Sequence, residues 1–297
     1  MSEHNPSPLG GSAALEGVMM KAADGWGLAV RLPDGTIHAE RHEEVALTKK
    51  YPWARLPLIR GVFALWDALS VSYKSLSRSG ELAGQEEEKM STGAIFGTFG
   101  VSLLLGIFIF VWLPARLVGF FIDGEQNRFL FYFATGIVEA IILVLYLLAI
   151  GQMKDMQRFF MYHGAEHKAI AAHERGLELT VENVRAMPAY HPRCGTSFIA
   201  FTTVVGILVY SFVPPLTVAW YYLFPRLLLI PVVAALSFEL LRFSAVHNDP
   251  VSKALRWIGF KFQMLTVKEP TDDMIEVAIA STKQALNQQP EKPVAVA

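Results

Sequence analysis

The stretch FLFYFATGIVEAIILVLYLLAI, Phe129–Ile150, decides the fold. A bilayer's hydrocarbon is crossed by a helix of about 20 apolar residues, and this stretch meets that length with one acidic or basic side chain, Glu139. Three more stretches read the same way. They are Ala94–Leu113, stopped by Pro114-Ala115-Arg116; Thr196–Val213, ending at Pro214-Pro215; and Trp220–Leu241, with Arg226, Pro231 and Glu239. The charges of the last lie near its ends, where side chains snorkel. Glu139 is nearer the middle of its span, where an ionisable group is either satisfied inside the bundle or functional.

Composition agrees. Of 297 residues, 53% are hydrophobic and 18% charged, and the mean hydropathy is +0.35. A formal charge of −1 gives no reason to expect a polyanionic partner such as nucleic acid. The single cysteine, Cys194, excludes an intrachain disulfide framework and a four-cysteine zinc site. Met1–Leu9 is polar and contains proline, unlike a secretory signal.

Basic residues set the expected orientation. Lys154, Arg158, Lys168, Arg175, Arg185 and Arg193 crowd the connection between the second and third spans. Lys49, Lys50, Arg55, Lys74, Arg78 and Lys89 precede the first span, and Arg242, Lys253, Arg256 and Lys261 follow the fourth. Only Arg116 and Arg128 lie between the first two spans. The positive-inside rule therefore places both termini and the central loop in the cytoplasm. The expected fold is mainly α: a polytopic membrane protein with four transmembrane helices. A cytoplasmic α+β domain is expected from residues 1–90, the loop 152–195 and residues 242–297, around membrane segments 91–151 and 196–241.

The polar regions carry local signals. Trp26–Val30 and Thr36–Val45 flank Pro33-Asp34-Gly35, which reads as a β-hairpin. Leu56, Ile59, Phe63, Trp66, Leu69 and Tyr73 recur near helical spacing, giving an amphipathic helix that packs on the cytoplasmic domain or lies in the membrane interface. Ser79–Met90 reads as a solvated linker. Thr271-Asp272-Asp273 opens a final helix, with its acids where the helix dipole favours them. The tail from Gln288 is expected to be disordered.

The chemistry concentrates in the central loop. Tyr162-His163-Gly164-Ala165-Glu166-His167-Lys168 contains His-x-x-Glu-His, the inverted zinc-peptidase signature. On a helix His163 and His167 share a face one turn apart and can reach one ion. Glu166, on the flank of that face, can take a proton from a water activated by that ion. The pattern is short, and helical histidines are commonly solvated or satisfied in a core. Glu174 lies two turns past His167, about 10 Å along the axis, so it suits a salt bridge better than the same ion. Gly176 ends the helix. Tyr190-His191-Pro192-Arg193-Cys194-Gly195 then precedes the third apolar span. His191 and Cys194 offer imidazole and thiolate, a pair suited to zinc or iron(II), with a buried reduced cysteine and a turn histidine as the alternative.

These segments carry a resemblance. The chain resembles the YqhQ-like family of bacterial membrane proteins through Gly10–Met20, Leu58-Ile59-Arg60-Gly61-Val62, Tyr162–Lys168 and Leu179–Val184. Arg193–Phe198, Ser237-Phe238-Glu239 and Leu265-Thr266-Val267-Lys268-Glu269-Pro270 continue it. The resemblance covers nearly the whole chain. It implies a metal-dependent enzyme of a bacterial cytoplasmic membrane and supplies no substrate.

The leading expectation is a metallohydrolase acting at the cytoplasmic face on a peptide or lipid-linked substrate, amid membrane lipids. His163, His167 and Cys194 hold a divalent ion, Zn²⁺ first among the choices, with His191, Glu239 and Glu16 as other candidate ligands. Glu166 is the general base, and Arg193 neutralises a developing oxyanion. A scaffold with a structural metal is one alternative, and a small transporter using Glu139 or Glu239 another. Self-association as a homo-oligomer is left open.

Overall fold

A computed structural model describes residues 9–84, 92–212 and 219–288. The N-terminal region forms an antiparallel meander: β1 (Gly10–Ala14), β2 (Gly17–Lys21), β3 (Gly25–Arg31) and β4 (Ile37–Glu43), in that spatial order. The expected hairpin is β3–β4, turning at Asp34, whose carboxylate accepts from the Thr36 N–H at 2.9 Å. β1 and β2 escape the sequence reading because their Gly, Ala and Met content is poor in strand formers. Their Leu15-Glu16 turn also uses a non-glycine left-handed residue, Glu16 at φ 48°.

The remaining elements are helical: α1 (Leu47–Lys50), α2 (Ile59–Leu82), α3 (Thr92–Ile107), α4 (Leu113–Gly119), α5 (Arg128–Ile150), α6 (Lys154–Glu174) and α7 (Val181–Arg185), then α8 (Gly195–Ser211), α9 (Ala219–Val246), α10 (Pro250–Thr266) and α11 (Asp272–Ala285). Among the described residues the protein is therefore mainly helical with one small sheet.

Both faces of the sheet are covered. Val18, Met20 and Ala29 join Tyr162, Ala165 and Ala169 of α6 and Ile275 and Ala278 of α11 in one core. Ala14, Met19, Leu28 and Val30 pack with Val71 of α2 in another. Helix α2 is fixed there by polar contacts as well: Ser79 Oγ accepts the Leu15 N–H at 3.0 Å, and Arg78 donates to Glu40 of β4. The Ser79–Met90 linker is thus helical as far as Leu82, because Ser79 is buried against the β1–β2 turn. Residues 85–91 and the tail 289–297 lie outside the described residues.

The apolar helices differ from expectation in number and bounds. Among the described residues three are long and apolar enough to cross a membrane: Gly100–Gly119, Arg128–Ile150 and Leu228–Val246. The first is not stopped at Pro114 but runs on to Gly119 through a π-helical turn at Phe108–Trp112. Such a wide turn accommodates the hydrogen bond that proline cannot make. The third qualifying stretch ends at Val246, past the expected Leu241. The remaining expected span, the third along the chain, is α8, whose 17 residues rise about 26 Å against the roughly 30 Å of a bilayer core. Its expected end, Val213 with Pro214-Pro215, falls outside the described residues. Helix α8 contacts α5, α9 and α10, and α10 contacts α9.

Candidate metal centre

Helix α6 carries its most polar run on its most buried stretch. Tyr162, Glu166, His167 and Lys168 are all buried, as are Gly164 and Ala165. Burying such groups is tolerated only where each finds partners. Lys168 Nζ reaches Glu269 at 2.5 Å and the Arg185 carbonyl at 2.9 Å. Tyr162 hydroxyl meets Glu16, whose carboxylate pairs with Arg158 at 2.5 Å. Glu16 is thereby held at the β1–β2 turn and is not part of the histidine cluster.

The two histidines are oriented by backbone. His163 Nδ1 lies 2.9 Å from the Thr266 carbonyl and His167 Nδ1 lies 2.6 Å from that of Ala189. A carbonyl accepts, so each Nδ1 carries the proton and each Nε2 offers a lone pair, the arrangement that outer partners impose on metal-binding imidazoles. The rings stand 4.5 Å apart between centroids. Cys194 caps the N-terminus of α8, its sulfur accepting the Thr196 N–H at 3.4 Å. Its Sγ lies 3.3 Å from His163 Nε2. One ligand atom from each of His163, His167 and Cys194 falls within 4.8 Å of the others. Tetrahedral ligands at 2.0–2.3 Å from a zinc ion stand about 3.3–3.8 Å apart. The donor set and its spacing therefore fit such an ion after small side-chain adjustments.

Two glycines let neighbouring chain close on this site. A Cβ at Gly164 would stand 2.1 Å from the Lys268 carbonyl, so α6 accepts the 265–270 segment that supplies the Thr266 carbonyl. A Cβ at Gly11 would lie 2.8 Å from Glu166 Cγ and 2.9 Å from its Oε1, so β1 lies directly on the carboxyl group. Leu9, Gly10, Gly11, Glu166, His191 and Arg193 line one small pocket of about 40 Å³ with the three cluster residues.

The other expected site residues are engaged elsewhere. His191 Nε2 lies 3.2 Å from Glu174, while its Nδ1 accepts the Arg193 N–H at 3.3 Å. Both ring nitrogens are thus occupied, and His191 stays outside the three-residue cluster. Arg193 also pairs with Glu174, which serves as the expected salt-bridge residue. Gln263 of α10 clamps the turn, accepting the His191 N–H at 3.0 Å and donating to its carbonyl at 2.8 Å. Glu239 pairs with Arg60 across α2 and α9, away from the histidines. Sequence reasoning missed Gln263 and the two carbonyls, and named Gly11 only within the Gly10–Met20 segment of the family resemblance. The 265–270 segment was singled out only through the family resemblance.

Electrostatics follow burial. Burial pushes the Glu166 carboxyl up, against the opposing charges of His163 and His191. Burial pulls His167 down, although Cys194 acts the other way, so its neutral, ligating form is favoured. Burial also lowers His191 and Arg193. A carboxyl raised toward neutrality beside a cluster of soft and borderline ligands is suited to accept a proton.

Comparison with known proteins returns to the segments that carry the resemblance. Residues 56–288 match the family described as "Protein of unknown function (DUF1385)". The chain is 35% identical to the "Uncharacterized protein YqhQ" of Bacillus subtilis (strain 168), over 99% of this chain and 98% of that protein. No solved structure matches the chain. Several of the segments meet in space: Arg60-Gly61 against Phe238-Glu239, Glu16 against Tyr162, and His163-Gly164 against Thr266 and Lys268.

Proposed function

The chain belongs to the family of the Bacillus subtilis YqhQ protein, and from that premise we propose that it is a membrane-embedded metal-dependent hydrolase. His163, His167 and Cys194 hold a divalent ion, Zn²⁺ first among the choices. The reading rests on the orientation of the imidazoles: both Nδ1 atoms are tied to carbonyls, leaving both Nε2 atoms to ligate, and a ligand atom of each ring lies within 4.8 Å of the Cys194 thiol. When bound, the ion supplies Lewis acidity to a water and to a polarised carbonyl or phosphoryl oxygen.

The chain's own residues supply the rest. Glu166, raised by burial and pinned by Gly11, receives the proton of the attacking water and returns it to the leaving group. Arg193 lines the same pocket, and an anionic group entering there shares its guanidinium with Glu174. The proposed setting is the bacterial cytoplasmic membrane, with four spans counting α8, both termini inside, and a peptide or lipid-linked substrate.

Metal analysis of the purified protein tests the reading. Wild type is expected to hold one equivalent of metal, and His163→Ala and Cys194→Ser to lose it. Glu166→Gln is expected to keep the metal while losing turnover of fluorogenic peptide and lipid-ester panels. Failure of wild type to take up Zn²⁺, Mn²⁺ or Fe²⁺ sinks the proposal. A second reading, a structural metal closing a scaffold, is favoured by one distance: Glu166 Oε2 lies 3.9 Å from His163 Nε2 and is near enough to become a fourth ligand. Metal loss in Glu166→Gln selects that reading.

A further inference from the structure

Two helices leave the same end of one long apolar helix, and both wear their polarity inside out. Helix α2 buries Gly61, Val71, Ser75 and Ser79, small residues and hydroxyls. Its opposite face exposes Trp66 (65%), Leu69 (60%) and Tyr73 (76%). At 100° per residue these three fall within one arc of about 60°. Helix α10 repeats the pattern: Ser252, Gly259, Gln263 and Thr266 are buried, while Trp257 (62%) and Met264 (57%) stand outward on one side. A helix bathed in water has the reverse arrangement. Small residues toward the protein and large apolar ones away from it are the pattern of a helix whose outside is lipid.

Position agrees with pattern. Helix α2 begins against the span Leu228–Val246, where Gly61 lies on Phe238 and Arg60 pairs with Glu239 at 2.5 Å. Helix α10 starts at Pro250, directly after that span ends. The exposed rings are of the kinds that favour the headgroup level of a bilayer. Lys261 Nζ sits 5.6 Å over the Trp257 ring, and the exposed Lys74 follows Tyr73, so cations lie beside both stripes. That arrangement matches anionic headgroups above acyl chains.

We propose that α2 and α10 lie in the headgroup–acyl boundary of the membrane with Trp66, Leu69, Tyr73, Trp257 and Met264 immersed in lipid. This seats the histidine cluster at the lipid surface. The proposal rests on the membrane reading above and goes beyond it, since spans can cross a bilayer while both helices stay in water. The same inverted pattern recurs on two separate helices with cations beside each stripe, which argues for lipid over a second copy of this chain.

Spin labels test it in the full-length protein reconstituted in vesicles of phosphatidylglycerol and phosphatidylethanolamine. Cys194 is buried, and the unsubstituted chain gives its labelling background. Labels at Leu69→Cys, Tyr73→Cys and Met264→Cys are expected to collide more with lipid-soluble oxygen than with a water-soluble nickel chelate. Glu81→Cys, exposed at the far end of α2, is expected to show the reverse ratio. Ile141→Cys and Leu145→Cys, exposed on α5, report on the span itself. Nickel-dominated collisions at 69, 73 and 264 with oxygen-dominated ones at 141 and 145 overturn the proposal and leave the membrane reading standing. Nickel-dominated collisions at all five positions overturn both. Dipolar broadening between copies at 69 or 73 assigns the face to a second chain and also overturns it.

Discussion

At the scale of the residue, Gly164 shows how closely the motif is bound to its surroundings. Its missing Cβ leaves room for the Lys268 carbonyl, and the same segment holds the carbonyl that orients His163. Gly164→Ala is expected to cost about 1–3 kcal/mol as an overpacked contact, and, if the proposed centre holds an ion, to lower its retention because Thr266 moves with Lys268. Thermal unfolding and metal analysis of one preparation check both effects. Gly11→Ala presses on the Met19 carbonyl of β2 and on Glu166 rather than on the histidines or Cys194, so on the proposed reading metal is expected to stay while turnover falls. The histidine pair was legible because an i, i+4 spacing has one geometric meaning on a helix. The Thr266 and Ala189 carbonyls were not, since every residue carries the same backbone acceptor. Cys194 was legible by its chemistry, but its place as the N-cap of α8 depends on where that helix begins. His191 looked equivalent to Cys194 in sequence; Glu174 and the Arg193 amide claim its two nitrogens.

At the scale of the element, α2 docks on the sheet through charge as well as through Val71. Burial alone would raise the Glu40 carboxyl, but hydrogen bonds from Arg78, His38 and His42 outweigh it and bring its pKa from an ordinary 4.5 to about 2. A carboxyl whose folded pKa lies below its unfolded one adds stability above the unfolded value. That contribution is lost as pH falls from about 4.5 to about 2. Glu40→Gln is expected to destabilise the protein by about 1 kcal/mol near neutrality, the range of a partly exposed ion pair. Its melting temperature should converge with that of wild type as pH approaches 2. The periodicity of α2 was legible, yet a period does not say which face turns inward. Here the small residues do, and the expected core stripe ends outside at Trp66, Leu69 and Tyr73. The Gly100–Gly119 helix taught the opposite lesson, because a proline that reads as a stop is absorbed by a π turn.

At the scale of the whole molecule, the sheet joins distant parts of the chain, with α2 on one face and α6 and α11 on the other. Helices α6 and α10 follow the long apolar helices α5 and α9 and meet at the cluster through Thr266 and His163. Cysteines placed at Asp155 and Lys253 are therefore expected to react from one side of the membrane only, the cytoplasmic side. External labelling at either position would reverse the proposed orientation. Apolar length made the long helices legible, whereas strands too short and too small-residued to show a pattern left half of the sheet unseen. The site itself draws on residues 9–11, 163–167, 189–194 and 266, and the segment after Thr266 closes on α6 at Gly164. A ribosome that has delivered both histidines and Cys194 has therefore not yet delivered a finished centre. On the proposed reading, capture of an ion becomes an event of late biogenesis, after α10 has emerged and folded back, because a chain cut short before Thr266 lacks the carbonyl that orients His163.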